Sequence, residues 1–83
     1  METLCKRILY KATHRGMHET DRILGEFVTQ KLDSLDEGLL HDFDRLLDVP
    51  DIDILNWILG REKVPKEFDN KIFNLLVTFK ESL

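Results

Sequence analysis

His14, Arg15, His18, Glu19 and Asp21 crowd into eight residues, His14-Arg15-Gly16-Met17-His18-Glu19-Thr20-Asp21. Small, charged and apolar residues alternate here without a simple core explanation. His14 and His18 are four apart, a spacing that on one helix turns both imidazoles to a common metal ion. Gly16 lies between them, where a helix is expected to end, and no third ligand follows at a useful spacing. Both are therefore read as surface histidines. His18-Glu19 also opens the zinc-protease pattern H-E-x-x-H, but its last position is Arg22, so the pattern fails.

Other groups were weighed the same way. Asp51-Ile52-Asp53 begins like a calcium loop, yet the next ligand position is Leu55 and the expected glycine is Asn56, so Asp51 and Asp53 read as helix caps. Cys5 is the single cysteine. It lies on an apolar stripe, where an inert core thiol is the expectation, and it excludes both an internal disulfide and a cysteine-rich zinc site. Asp33-Ser34-Leu35 resembles the phosphopantetheine site of acyl carrier proteins, which are also short, acidic and helical. Ser34-Leu35-Asp36-Glu37 is a capping box, with Ser34 as N-cap and Glu37 at the third helical position, and this already accounts for both residues. A carrier-like protein modified at Ser34 is kept as the alternative. Trp57 and the five phenylalanines read as core.

Arg15, Gly16 and Glu19 remain. An arginine offers a planar fork of donors suited to a carboxylate or phosphate. Glycine lets another backbone or a ligand approach closely. Glu19 projects from near the same corner. The plain reading is helix capping plus a solvated ion pair worth about 0–1 kcal/mol.

The elements that position this corner follow from periodicity. Leu4, Cys5, Ile8, Leu9 and Ala12 predict a first helix over about residues 3–14, with Thr3 as its cap and Lys6, Arg7 and Lys11 on the other face. Gly16 ends it or turns the chain through positive φ. A second helix is expected over 17–32, on Met17, Leu24, Phe27, Val28 and Leu32, with Gly25 explained by a close helix crossing. A third is expected from Ser34 to about Leu47, buried at Leu35, Leu39, Phe43, Leu46 and Leu47. A short fourth, capped by Asp51 or Asp53 and closed by Gly60, is apolar nearly all round and reads as the most enclosed element. Pro65 is expected at the first position of a fifth helix, striped by Phe68, Ile72, Leu75, Leu76 and Phe79. No strand pattern, repeat or linker is present. The expected fold is all-α, one small five-helix domain over 1–83.

At this length a large enclosed active site is not expected. Twelve basic against sixteen acidic residues leave a net charge of −4, which lacks the basic footprint of nucleic-acid binding. No apolar run reaches the ~20 residues that span a bilayer, and Met1-Glu2-Thr3 does not open like a signal or transit peptide. These readings imply a cytoplasmic protein of bacterial type, or a mature organellar fragment.

Arg15-Gly16-Met17-His18-Glu19 resembles the R-G-x-x-E signature of the succinate dehydrogenase assembly factors, or flavinators. The likeness extends to Asp21, to Asp53, Asn56 and Trp57, and to the helix start at Pro65, and so covers nearly the whole chain. Thr20 stands where many members carry a larger apolar residue, and His14 where a basic residue is commoner. The resemblance implies a five-helix bundle. It implies a non-enzymatic factor, monomeric when free, that binds the flavoprotein subunit of succinate dehydrogenase, with fumarate reductase as a further client. It implies that the factor promotes covalent attachment of FAD to a histidine of that subunit; no cofactor is assigned to the factor itself. Arg15, Gly16 and Glu19 carry the motif; Met17, His18 and Asp21 complete the expected partner-binding set.

Overall fold

The computed structural model describes residues 2–83; Met1, which entered the leader reading, lies outside the described residues. Five α-helices follow in order: α1 Glu2–Thr13, α2 His18–Lys31, α3 Glu37–Leu46, α4 Asp51–Ile58 and α5 Lys71–Glu81. Two 3₁₀ turns, Leu32–Ser34 and Lys66–Phe68, extend α2 and precede α5, and no strand occurs among the described residues. The all-α five-helix expectation is met.

One apolar core joins all five. Leu4, Ile8 and Ala12, each four residues on from the last, bury one face of α1. Ile23, Leu24, Phe27 and Val28 do the same for α2, which packs on α1, α4 and α5. Phe27 sits at the centre, meeting the rings of Phe43 and Phe79 edge-on at 5.4 Å each, a favoured aromatic geometry. The central residue thus comes from α2, while α4 is the most enclosed element, as expected, with Ile52 its one exposed residue. In α4 only Ile54, Leu55 and Ile58 are buried, while Trp57 and Leu59 are half-covered and Ile52 stands out in solvent.

Several helix starts differ from the expected ones, for one shared reason: the first residue able to cap a helix is not always free to do so. Thr3 lies inside α1. Ser34 does not open α3. Leu35 turns into the core in extended conformation, and α3 starts after it, with the Asp36 carboxylate accepting from the Leu39 amide at 2.9 Å. The Ser34 hydroxyl donates back to the Lys31 carbonyl at 2.7 Å. In α3 the buried position is Leu40, with Leu39 half-buried. Pro65 precedes the 3₁₀ turn, which lays Phe68 on Trp57 at 5.7 Å and under the Arg45 guanidinium; α5 begins later, at an Asn70 cap. Gly60, just beyond α4, has a φ of +77°, the left-handed conformation that suits glycine at a helix end.

Gly25 has no close crossing to explain it: a methyl there would meet nothing within 4 Å. Inside a helix glycine costs about 1 kcal/mol relative to alanine. Gly25→Ala is therefore expected to stabilise the protein by about 0.5–1 kcal/mol, read as a higher urea midpoint with an unchanged slope.

Candidate functional site

The bend between α1 and α2 is built on Arg15. Its side chain is only 8% exposed, so the guanidinium is turned inward. Nε donates to Asp51 Oδ1 in an ion pair. Nη1 donates to the carbonyls of Leu47 (2.7 Å) and Lys11 (3.3 Å), and Nη2 to that of Val49 (2.9 Å). Leu47 caps the C-terminus of α3, where the helix dipole favours a cation. One side chain thus ties the end of α1 to the end of α3 and the start of α4. A lysine, with a single ammonium, has no such fork.

Asp51 completes the clamp. It is the first residue of α4, but its carboxylate does not cap that helix; Pro50 holds the N-cap position. Oδ2 instead accepts from the backbone amides of Gly16 (2.7 Å) and Met17 (3.1 Å). Those amides lead into α2, whose N-cap, Met17, has no side-chain cap. Asp51 supplies from another helix the negative charge that this end favours. Burial pushes the Asp51 carboxyl upward, but the Arg15 guanidinium and the two amides pull harder the other way, and it titrates below the usual aspartate range. Asp21 closes the bend from inside, accepting the Arg15 amide at 3.0 Å. Thr20, fully buried, satisfies its hydroxyl on the Met17 carbonyl at 3.0 Å; a larger apolar side chain would lose that bond.

The predicted site residues therefore divide. Arg15 and Asp21 face the bend and hold it. Met17 is half-buried and packs against the core. Gly16, His18 and Glu19 are exposed, and the Glu19 carboxylate makes no ion pair or hydrogen bond among the described residues. His14 follows the end of α1 while His18 begins α2, so the two do not share a helical face. Gly16 does not use the positive φ expected of it; among the described residues only Gly60 does. A methyl on Gly16 would meet Asp51 Oδ2 at 3.7 Å, an ordinary contact. The fold itself has no need for a bare backbone here.

Asp51 was read from the sequence only as a calcium candidate or a local cap, and its partnership with Arg15 was missed. The signal lies in two matching stripes. Arg7, Lys11 and Arg15 recur every fourth residue, and Asp44, Asp48 and Asp51 answer them. Asp44 accepts from Arg7 (2.8 Å) and Lys11 (3.0 Å), and Lys11 also reaches Asp48 (2.8 Å). Hydrogen bonding from Arg7, with Lys11, outweighs burial and holds Asp44 below the usual carboxylate range. The basic stripe expected on the outer face of α1 is the seam with α3. Among the described residues no three His, Cys, Asp or Glu side chains gather as a metal site, and no helix is long and apolar enough to cross a membrane.

These features define a class: small all-helical proteins whose first interhelical bend carries an exposed glycine and is clamped by an arginine–aspartate pair. Residues 6–80 match the family model described as flavinator of succinate dehydrogenase, and the chain belongs to that family. It is 43% identical over 76 residues to succinate dehydrogenase assembly factor 2, mitochondrial, of Dictyostelium discoideum, covering 92% of this chain and 54% of that protein. The protein of the same name in Schizosaccharomyces pombe is 33% identical over 82 residues, 98% of this chain and 59% of its own length. The FAD assembly factor SdhE of Acetobacter pasteurianus is 36% identical over 62 residues, 75% and 57% of the two chains. The chain thus spans about half the length of the curated relatives it matches.

The inward guanidinium revises the effect expected of Arg15. Arg15→Ala leaves Asp51 without its counter-charge in a largely buried site and should cost about 2–4 kcal/mol, visible as a lower urea midpoint. Arg15→Lys should recover only part of it. The acid profile follows from the depressed carboxyls. A group whose native pKa lies below its unfolded value stabilises the fold fully above the unfolded value, about 3.9 for aspartate. That contribution is lost as pH falls through the lower native value, because the unfolded chain takes up protons first. Asp51→Asn should lower stability at pH 7 and make its fall between about pH 5 and pH 2 shallower than in the parent.

Proposed function

We propose that this protein is an assembly factor that binds the flavoprotein subunit of succinate dehydrogenase and promotes covalent attachment of FAD to a histidine of that subunit, with the fumarate reductase flavoprotein as a second client. The observation that carries this reading is Gly16: exposed, in a conformation open to any residue, with room for a side chain, yet bare. A glycine the fold does not require, its amide bonded to Asp51 in a bend that the Arg15 and Asp51 side chains hold with six hydrogen bonds in all, suits close approach by another backbone. Family membership and the names of the relatives point the same way.

Within this reading Arg15 and Asp21 act indirectly, by fixing the shape of the corner, while Gly16, Met17, His18 and Glu19 meet the partner. The bond-making chemistry belongs to FAD and the flavoprotein. The factor acts by binding one conformation of its client more tightly than another, and about 1.4 kcal/mol of differential binding shifts that equilibrium tenfold. It catalyses no reaction alone and works as a monomer wherever its client matures, in the bacterial cytoplasm or the mitochondrial matrix. The carrier alternative loses its geometric support, since Ser34 ends a 3₁₀ turn instead of opening a helix; an unmodified intact mass after expression excludes it.

Gly16→Arg should keep the helical content and thermal midpoint of the parent, because the side chain extends into solvent, and abolish covalent flavin in the client. Flavin fluorescence of the flavoprotein subunit on a denaturing gel reads this directly. Undiminished fluorescence overturns the assignment of the corner.

A further inference from the structure

We propose that His14 is a second recognition residue of the corner, presenting the lone pair of its Nε2 as an acceptor to a hydrogen-bond donor on the partner protein. The inference rests on the proposed function and extends its surface backward along α1. Its basis is the other nitrogen of the ring. His14 Nδ1 lies 2.9 Å from the Tyr10 carbonyl oxygen and 3.2 Å from Thr13 Oγ1. A carbonyl oxygen can only accept, so Nδ1 must carry the hydrogen. The Thr13 hydroxyl donates to the Leu9 carbonyl at 2.7 Å, which leaves its oxygen to accept from the same Nδ1–H. In the neutral ring the hydrogen is therefore on Nδ1 and the lone pair on Nε2.

The ring is also fixed in direction. It stacks on Tyr10 at 4.0 Å between centroids, with 18° between planes. Tyr10 is itself 63% exposed, the most exposed large apolar side chain among the described residues. A tyrosine left in water yet covered by an imidazole forms a flat plate beside Arg15 and Gly16. Beyond the phenol, the exposed His14 ring adds one polar atom for which no bond within the described residues is seen, Nε2. Glu19, at the other end of the corner, presents a carboxylate that is likewise an acceptor. Arg15, whose donors would oppose this pattern, is turned inward onto Asp51. His18 and Arg22 are exposed nearby, so the acceptor character is local to positions 14 and 19. The fitting partner element is a donor, an amide N–H or an arginine, reaching the corner from the α1 side.

The substitutions that separate the two nitrogens are His14→Asn and His14→Gln. Asparagine places its amide N–H where Nδ1 stands and can keep the bond to Tyr10, but offers nothing at Nε2. Glutamine reaches the Nε2 position with an oxygen able to accept. Binding to purified apo-flavoprotein subunit is measured by titration calorimetry at pH 8, with covalent flavin on a denaturing gel as the second readout. His14→Asn should weaken binding about tenfold with the thermal midpoint unchanged, and His14→Gln should recover most of that loss. The ¹⁵N shifts of the free protein should show Nδ1 protonated and Nε2 bare. Asparagine binding as tightly as histidine, or a ring protonated on Nε2 alone, overturns the proposal while leaving the assembly-factor reading intact. Failure of the parent protein to bind the flavoprotein overturns both.

Discussion

The bend between α1 and α2 depends on one ion pair, Arg15 with Asp51. Taking both charges out of water is costly, and the attraction between them offsets that cost only where the remaining donors and acceptors are satisfied. Here they are. The guanidinium meets three backbone carbonyls besides the carboxylate, and the carboxylate meets two backbone amides besides the guanidinium. No buried side-chain nitrogen or oxygen among the described residues lacks a partner. The pair acts less as added stability than as geometry, because its five further contacts each fix a piece of main chain.

The same pair resolves an apparent conflict in the motif. An arginine, a glycine and a glutamate at R-G-x-x-E spacing suggest three residues facing one partner. The structure shows two directions. Arg15 looks into the protein and sets where the loop runs; Gly16 and Glu19 look out. Under the proposed function, loss of Arg15 and gain of a side chain at Gly16 would both impair docking, for unlike reasons: the first loosens the surface, the second obstructs it. A stability measurement beside the binding measurement tells them apart.

Much of this architecture was legible in the residues. The apolar spacing of Leu4, Ile8 and Ala12, or of Ile23, Leu24, Phe27 and Val28, can only be buried by helices, and the glycine beyond α4 stops it as its chemistry requires. The exposure of Gly16, His18 and Glu19 was legible as well, but the inward turn of Arg15 was not. What escaped reading were the choices among competing caps. Ser34, Asp36, Pro65 and Asn70 all carry the local chemistry of a helix start, and burial of Leu35 and Phe68 decides between them. The partner of Arg15 escaped for the same reason. Asp51 can cap α4 or reach across to the start of α2, and only the packing of α1 against α3 and of α2 against α4 brings the Gly16 amide within 2.7 Å of it. Two complementary charge stripes were the available sign, and an acidic protein with many carboxylates makes such a match easy to overlook.

Arg15 and Asp51 lie 36 residues apart in the chain, and α2 and α3 intervene. The corner therefore cannot take shape until α4 has docked on the rest of the bundle. A chain still being synthesised, or one whose later helices have come loose, has a slack loop in place of a formed edge. Under the proposed function docking would then be self-proofreading, since only finished molecules present the corner.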